Sequence, residues 1–214
     1  MNESVKETPF AAGAFRDRAL SQRGRPPEHA WRDHGDHKLN PDLFAYYEDL
    51  DMRAAAVLVP VVDYGDEARV IFTQRTTKLR KHSGQIAFPG GSIDPEDRSP
   101  EDAALRESEE EIGLTRDFVQ PVARLPDYLA GSGFRITPIL SVVRPGFSLK
   151  INPDEVDAVF EVPLGFMMDP ANHARGTAML GGQMRQYYEI KFGDHRIWGI
   201  TAGIIRTIYE RLYA

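Results

Sequence analysis

The 214-residue chain contains no cysteine, which excludes a disulfide scaffold, thiolate zinc sites, iron–sulfur clusters and a cysteine nucleophile. No apolar run approaches the roughly 20 residues needed to span a bilayer. The first ten residues, MNESVKETPF, lack the basic-then-apolar pattern of a secretory signal. There is no Gly-x-Ser-x-Gly elbow, no His-Glu-x-x-His helix and no Walker loop, and no internal repeat or low-complexity block. Positive charge is in deficit: 26 Lys and Arg stand against 32 Asp and Glu, a net charge of −6. That balance disfavours a protein that coats nucleic acid. The expectation is a cytoplasmic globular protein with a small-molecule partner, no nucleic acid and no membrane, with a homodimer left open. Hydrophobic residues, at 42%, are sufficient for a buried core.

Residues 1–50 differ in texture from the rest. They mix Arg, His, Pro, Gly and Asp without a sustained apolar period, and read as a partly flexible N-terminal arm, loosely ordered over residues 1–35 with a short helix near residues 10–20. The tract Asp33-His34-Gly35-Asp36-His37 has a metal-binding composition, but nothing in the sequence fixes its geometry, and a solvated loop is the simpler reading. The folded domain is expected over residues 51–214. It opens with the continuous apolar run AAAVLVPVV at 54–62, as expected of a strand covered on both faces. A turn at Tyr64-Gly65-Asp66 leads to a second strand at 68–74, forming a hairpin. Further strands are expected at 86–88, 118–125, 135–143, 158–161, 186–192 and 196–198. Pro121 makes the strand at 118–125 an edge or an interrupted one. Helices are expected at about 100–112 and at 200–212, where Ile204, Ile205, Ile208 and Leu212 form a stripe at helical spacing. The class is α/β or α+β, a mixed sheet with helices on its faces.

The helix at 100–112 is sharply punctuated. Ser99 suits the N-cap, Pro100 the first turn, Asp102 a capping box and Gly113 the stop. Ala104, Leu105, Ser108 and Ile112 form its expected packing face. Glu107, Glu110 and Glu111 stand three and four residues apart, so they share one side. Four glutamates crowd the five positions 107–111, at the helix end where the dipole disfavours negative charge. A hard divalent cation, Mg²⁺ or Mn²⁺, would cancel that repulsion, and Arg106 can orient one of the carboxylates. Taken alone, the run also fits a solvated acidic face.

Two flanking features favour the cation. Upstream lies Phe88-Pro89-Gly90-Gly91-Ser92-Ile93-Asp94-Pro95-Glu96-Asp97, whose paired glycines permit close backbone approach. Before it, residues 75–82 carry five basic side chains and no acid. A basic cluster joined by a glycine turn to a carboxylate cluster suits a polyanionic substrate. Arg75, Lys78, Arg80 and His82 are the candidate phosphate-binding residues. Phe88, Phe134 and Tyr128 are aromatics that could stack on a base, although for Phe88 a place in the core is the simpler reading. His173 and His195 stand alone and read as structural or surface residues.

Gly91 followed by Arg106-Glu107-Ser108-Glu109-Glu110-Glu111-Ile112-Gly113-Leu114 resembles the Nudix box, Gly-x5-Glu-x7-Arg-Glu-U-x-Glu-Glu-x-Gly-U, in which U is apolar. There are three departures. The gap before Arg106 is one residue longer, Asp97 stands in place of the first Glu, and Ser108 fills a U position. The longer spacing, with Leu79-Arg80-x-His82-x-Gly84-Gln85-Ile86-Ala87-Phe88-Pro89-Gly90-Gly91 and Asp94-Pro95-x-Asp97-x-Ser99, is similar to the extended motif of coenzyme A pyrophosphatases within that superfamily. Further similarity lies in residues 132–138, 152–156 with 162–164, and 197–202. The resemblance covers about residues 53–212.

The resemblance implies a Nudix fold, an α/β/α sandwich around a mixed sheet. It also implies a Mg²⁺- or Mn²⁺-dependent pyrophosphohydrolase that cleaves coenzyme A or its acyl derivatives to 3′,5′-ADP and 4′-phosphopantetheine or its acyl form. Glu107, Glu110 and Glu111 match the metal-binding box positions, Arg106 the supporting arginine, and Gly91 the position whose carbonyl helps hold the metal. Glu155 is the candidate for an additional acid from a later loop, against a reading as a strand-entry surface acid. Glu107 and Glu155 remain alternative proton acceptors. Two other functional readings stay open: a Nudix hydrolase of ADP-ribose, a dinucleoside polyphosphate or a nucleoside triphosphate, and a non-catalytic nucleotide-sensing module.

Overall fold

The computed structural model describes residues 8–22, 26, 29–48, 50–78, 83–180 and 182–214. In chain order its helices are α1 (Ala12–Leu20), α2 (Leu43–Glu48), α3 (Pro100–Ile112), α4 (Leu164–Met167) and α5 (Ile200–Leu212). The strands are β1 (Arg53–Asp63), β2 (Ala68–Arg75), β3 (Ile86–Ala87), β4 (Gly90–Ser92), β5 (Val119–Arg124), β6 (Tyr128–Ala130), β7 (Phe134–Val143), β8 (Val156–Pro163), β9 (Ala174–Leu180), β10 (Gln183–Phe192) and β11 (His195–Trp198).

The apolar run at the start of the domain becomes the centre of the main sheet. β1 pairs in parallel with β7 from Arg53–Phe134 to Val62–Val143, turns back antiparallel onto β2, and takes β4 antiparallel at Ala55–Val57. Successive side chains of a strand face opposite ways, so an uninterrupted apolar strand needs cover on both sides. Ala55, Val59 and Val61 of β1 pack with Phe15 of α1 and Ile204, Ile205 and Ile208 of α5. Ala56, Leu58 and Val62 pack with Ala103, Ala104 and Ile112 of α3. The result is the expected α/β/α sandwich around a mixed sheet.

β5 is the terminal strand of the main path, with a register irregularity between Pro121 and Ala123, where the missing proline N–H is harmless. A second, three-stranded sheet runs β11-β10-β9. The sequence pattern located β10 and β11 but not β9, β4 or β6. β4 and β6 are three residues long, and β9 is mostly exposed, so none carries an alternating apolar signal.

The described part of the N-terminal segment departs from the expectation of a loosely ordered arm. Phe15 and Ala19 of α1 are fully buried, and the Phe10 carbonyl accepts a hydrogen bond from the Ala68 N–H at 3.2 Å. Trp31, Tyr47 and Leu129 form a separate apolar cluster with Leu43, Phe44 and Met52. His37 is neither a metal ligand in an open tract nor solvated. It is buried, lies edge-on to Trp31, Phe44 and Tyr47, and its Nε2 is 2.9 Å from the Arg32 carbonyl. Burial lowers its pKa, which favours the neutral ring. Tyr128 is likewise no base-stacking platform: it is buried and donates its hydroxyl to Asp36 at 2.6 Å. Phe88 is a core residue, 4.9 Å from Phe72 between ring centroids. Phe134 lies under the Arg53 guanidinium at 4.1 Å.

Candidate functional site

The site is built around α3. Ser99 caps it by accepting from the Asp102 N–H at 3.2 Å, and Pro100 occupies the first turn. The Asp102 carboxylate does not close a capping box onto Ser99. It accepts instead from the Arg98 backbone N–H at 3.3 Å and its Nε at 2.9 Å, and pairs with Arg116. Ser108 satisfies its hydroxyl inside the helix, donating to the Ala104 carbonyl at 2.6 Å; a polar residue at that apolar box position is thereby buried without an unmet group. Gly113 ends the helix in the left-handed region at φ 69°.

A distant loop covers the exposed carbonyls of the last turn. Lys150 N–H donates to the Ile112 carbonyl at 2.8 Å and Asn152 N–H to the Glu111 carbonyl at 2.9 Å. That docking carries Glu155 into the site. Its carbonyl accepts from the Thr76 N–H at 2.9 Å, and its carboxylate accepts from Asn152 Nδ2 at 3.3 Å.

One carboxylate oxygen each of Glu107, Glu111 and Glu155 lies within 4.8 Å of the others. Glu111 is only 2% exposed, with Oε2 accepting from the Gly90 N–H at 3.1 Å and Oε1 3.5 Å from Arg75 Nη1. Burial pushes its pKa up to about 7, with the Gly90 N–H and Arg75 opposing, and Glu107 and Glu155 adding to the rise. Burial also raises Glu107. Three oxygen donors at this spacing, with two carboxylates resisting ionisation, form a donor set suited to a hard divalent cation.

At Gly91 the backbone runs close against the cluster: a Cβ there would lie 2.5 Å from the Glu107 carboxyl carbon. Any side chain at 91 would compete with that carboxylate for the same space.

Arg106 ties the rim together. Its Nε and Nη2 bind the Asp97 carboxylate at 3.0 and 2.9 Å, Nη2 also reaches the Ser92 carbonyl at 3.1 Å, and Nη1 reaches Glu107 at 3.0 Å and Glu110 at 3.1 Å. Asp97, the departure from the general box, is thus the bidentate partner of Arg106, which holds its carboxyl below the usual range.

The sequence-derived site residues separate into groups. Glu107, Glu111 and Glu155 converge, with Gly91 against Glu107. Glu110 is 55% exposed and paired to Arg106 outside this trio. Arg75 faces Glu111. Lys78 N–H lies 3.4 Å from the Thr76 hydroxyl, at the base of the basic segment. Arg80 and His82 lie outside the described residues. Sequence reasoning missed Asn152 and Asp157; the latter accepts from the Thr77 N–H at 3.0 Å and so anchors the start of the basic segment. Their signal was only proximity to Glu155. Of the lone histidines, His173 contacts the Met167 carbonyl at 2.7 Å and His195 stacks on Phe160 at 3.7 Å. Among the described residues no helix is long and apolar enough to cross a membrane.

Residues 52–176 match the NUDIX domain family. A Photorhabdus laumondii protein named "Uncharacterized Nudix hydrolase NudL" is 38% identical over 160 residues, 75% of this chain and 85% of that one. The Escherichia coli K12 protein of the same name is 37% identical over 161 residues, 75% and 83% of the two chains. Among solved structures, a MutT/nudix family protein from Enterococcus faecalis aligns with a TM-score of 0.48 at 16% identity, covering 94% of this chain and 74% of that one. A Nudix hydrolase from M. smegmatis, RenU, gives 0.43 at 21% identity over 51% and 70%. With its box folded into the α3 helix and the family match spanning the whole site, the chain belongs to the Nudix hydrolase family.

Proposed function

We propose that this Nudix hydrolase cleaves the pyrophosphate of coenzyme A or acyl-coenzyme A, giving 3′,5′-ADP and 4′-phosphopantetheine or its acyl form, with Mg²⁺ or Mn²⁺ as cofactor. The observation that carries the substrate assignment is the extended motif from Leu79 to Gly91, whose described end leads directly into the carboxylate cluster. Arg75 N–H donates to the Gln85 carbonyl at 2.9 Å and Gly84 N–H to the Arg75 carbonyl at 3.1 Å. β3 and β4 then deliver Gly90 and Gly91 to Glu111 and Glu107. Arg75, at the start of the basic segment, stands beside the same cluster, 3.5 Å from Glu111.

In this reading Glu107 and Glu111 hold the cation, with the Gly91 carbonyl and Glu110 completing the box set and Glu155 facing them. A divalent cation bound there offsets the charge that builds on the phosphate oxygens and makes water more acidic. Arg106 fixes Glu107 and Glu110 through its fork and is itself held by Asp97. A cluster carboxylate, Glu107 or Glu155, takes the proton of the attacking water. Arg75, Lys78, Arg80 and His82 receive the remaining phosphate charge.

Product analysis with coenzyme A, with and without Mg²⁺, tests the proposal. The expected result is metal-dependent release of 3′,5′-ADP, lost in Glu111→Gln. A higher kcat/KM for ADP-ribose, a dinucleoside polyphosphate or a nucleoside triphosphate would overturn the substrate assignment, and absence of turnover on all of them would overturn the enzymatic one.

A further inference from the structure

The pairing of Arg75 with Glu111 has a property that a purely structural ion pair lacks. The nearest approach, Nη1 to Oε1, is 3.5 Å, longer than the 2.7–2.9 Å of a charge-assisted hydrogen bond. The other carboxylate oxygen is already taken by the Gly90 N–H. Arg75 is 29% exposed while Glu111 is almost completely covered. The guanidinium therefore supplies charge to a buried carboxylate without committing its fork of donors to it. Among the described residues no other cation pairs with Glu111, and Arg106, the neighbouring guanidinium, is committed to Asp97, Glu107 and Glu110. The backbone on either side of Arg75 is fixed by hydrogen bonds to Gln85, Gly84 and Glu155 through Thr76, so a change of partner requires only side-chain rotation.

We propose that Arg75 is the internal counter-ion of the cation site and a specificity device for order of binding: it neutralises Glu111 in the metal-free protein, is displaced from it when a divalent cation binds, and then presents its uncommitted fork to a phosphate of the substrate. This rests on the reading of the cluster as a cation site and adds to it a coupling between cation and substrate. Before the cation arrives, Arg75 is engaged and Glu107, Glu111 and Glu155 repel an anion. Afterwards both the cation and Arg75 attract one. A pyrophosphate then binds the loaded protein far better than the empty one, and by reciprocity the cation binds more tightly when pyrophosphate is present.

A counter-ion competes with the ligand that replaces it, and a nearby positive charge also repels a cation through space, so loss of Arg75 must strengthen cation binding if the proposal holds, while the Glu111 variants below test the pairing itself. Calorimetric titration with Mn²⁺ supplies the first measurement. Arg75→Gln is expected to bind Mn²⁺ about five- to fiftyfold more tightly than the parent, and to bind inorganic pyrophosphate in saturating Mn²⁺ about tenfold more weakly. Arg75→Lys, which keeps the charge but loses the fork, is expected to leave Mn²⁺ affinity within about twofold while still weakening pyrophosphate.

In metal-free protein, Glu111→Gln is expected to raise pyrophosphate affinity, and Glu111→Gln combined with Arg75→Gln to abolish that gain. Unchanged or weaker Mn²⁺ binding in a folded Arg75→Gln protein, with its melting temperature checked alongside, would overturn the proposal. So would a gain that survives in the double variant. Failure of the parent protein to bind Mn²⁺ is a separate result, which would overturn the cation site itself.

Discussion

Gly90 and Gly91 are adjacent in β4, yet alanine at each is expected to fail in opposite ways. At Gly90 an added methyl group meets fixed backbone: the Ala56 carbonyl oxygen lies inside contact distance, the Val57 Cα lies 2.6 Å away, and φ is +151°. Neither neighbour can yield without separating β1 from β4, so Gly90→Ala is expected to cost about 2 to 6 kcal/mol of stability. At Gly91 φ is unexceptional, and the obstacle is the carboxylate end of Glu107, with its carbon and Oε2 at 2.5 Å and Oε1 at 2.6 Å. A flexible side chain can retreat, and alanine restricts the unfolded chain, so net stability should change by less than about 1 kcal/mol. The retreat must be roughly 1 Å, however, which is enough to cost about a hundredfold at an oriented site.

Thermal unfolding with and without Mn²⁺ separates the two effects. At a Mn²⁺ concentration a hundredfold above the parent's Kd, the parent gains about 2.7 kcal/mol, or roughly 5 to 10 °C in a domain of this size. Gly91→Ala should melt near the parent without Mn²⁺ and gain only about 0.4 kcal/mol with it. A full Mn²⁺-induced shift in Gly91→Ala, or a metal-free melting temperature as low as that of Gly90→Ala, would refute the argument.

Other outcomes follow from the same geometry. The pKa of Glu111 is raised to about 7 from 4.5, so its protonated form favours the folded state. The metal-free protein is expected to lose up to about 3 kcal/mol as pH rises from about 4.5 to above 7, seen as a falling urea midpoint that saturating Mn²⁺ restores. Cation binding at pH 6 should correspondingly release about one proton and at pH 8 almost none, measured by calorimetry in buffers of differing ionisation enthalpy. Asp97→Asn removes the charge that holds Arg106 bidentately and is expected to lower kcat about 10- to 100-fold at near-parent stability; parental kcat would show that Asp97 is dispensable. Phe15→Ala in α1 is expected to cost about 3 to 5 kcal/mol, whereas a loss below about 1 kcal/mol in chemical denaturation would mean that the segment is a detachable arm.

Much of the candidate site was legible in the sequence because its signals are local. Ser99, Pro100 and Gly113 delimit α3 within a residue, and the spacing of Glu107 and Glu111 puts two of the converging carboxylates on one helix face. The alternate packing of 55, 59 and 61 against 56, 58 and 62 follows from one uninterrupted apolar strand. What was not legible depends on tertiary contact. Helical spacing brings Glu110 as near to Glu107 as Glu111, but burial under Gly90 and Arg75 selects Glu111, and the solvent-facing Glu110 turns to Arg106. His37 looked like a loop histidine because its aromatic partners, Trp31, Phe44 and Tyr47, follow no period. Tyr128 looked available to a ligand because Asp36, which takes its hydroxyl, is 92 residues away.

The loop that covers the end of α3 also sets when the site can exist. Glu155 reaches its companions only after Lys150 and Asn152 have docked on Ile112 and Glu111, and its own carbonyl is the support for Thr76 at the start of the basic segment. During synthesis, α3 and the glycine turn emerge first, but the converging trio cannot close until the chain has passed residue 155. β8 must also have been laid beside β2, with which it pairs from Arg75–Val156 to Arg69–Pro163. Closure of the trio is thus a late event in synthesis. It reports that the long-range topology is complete, and a ribosome-bound chain halted before β8 carries the whole box sequence without the finished site.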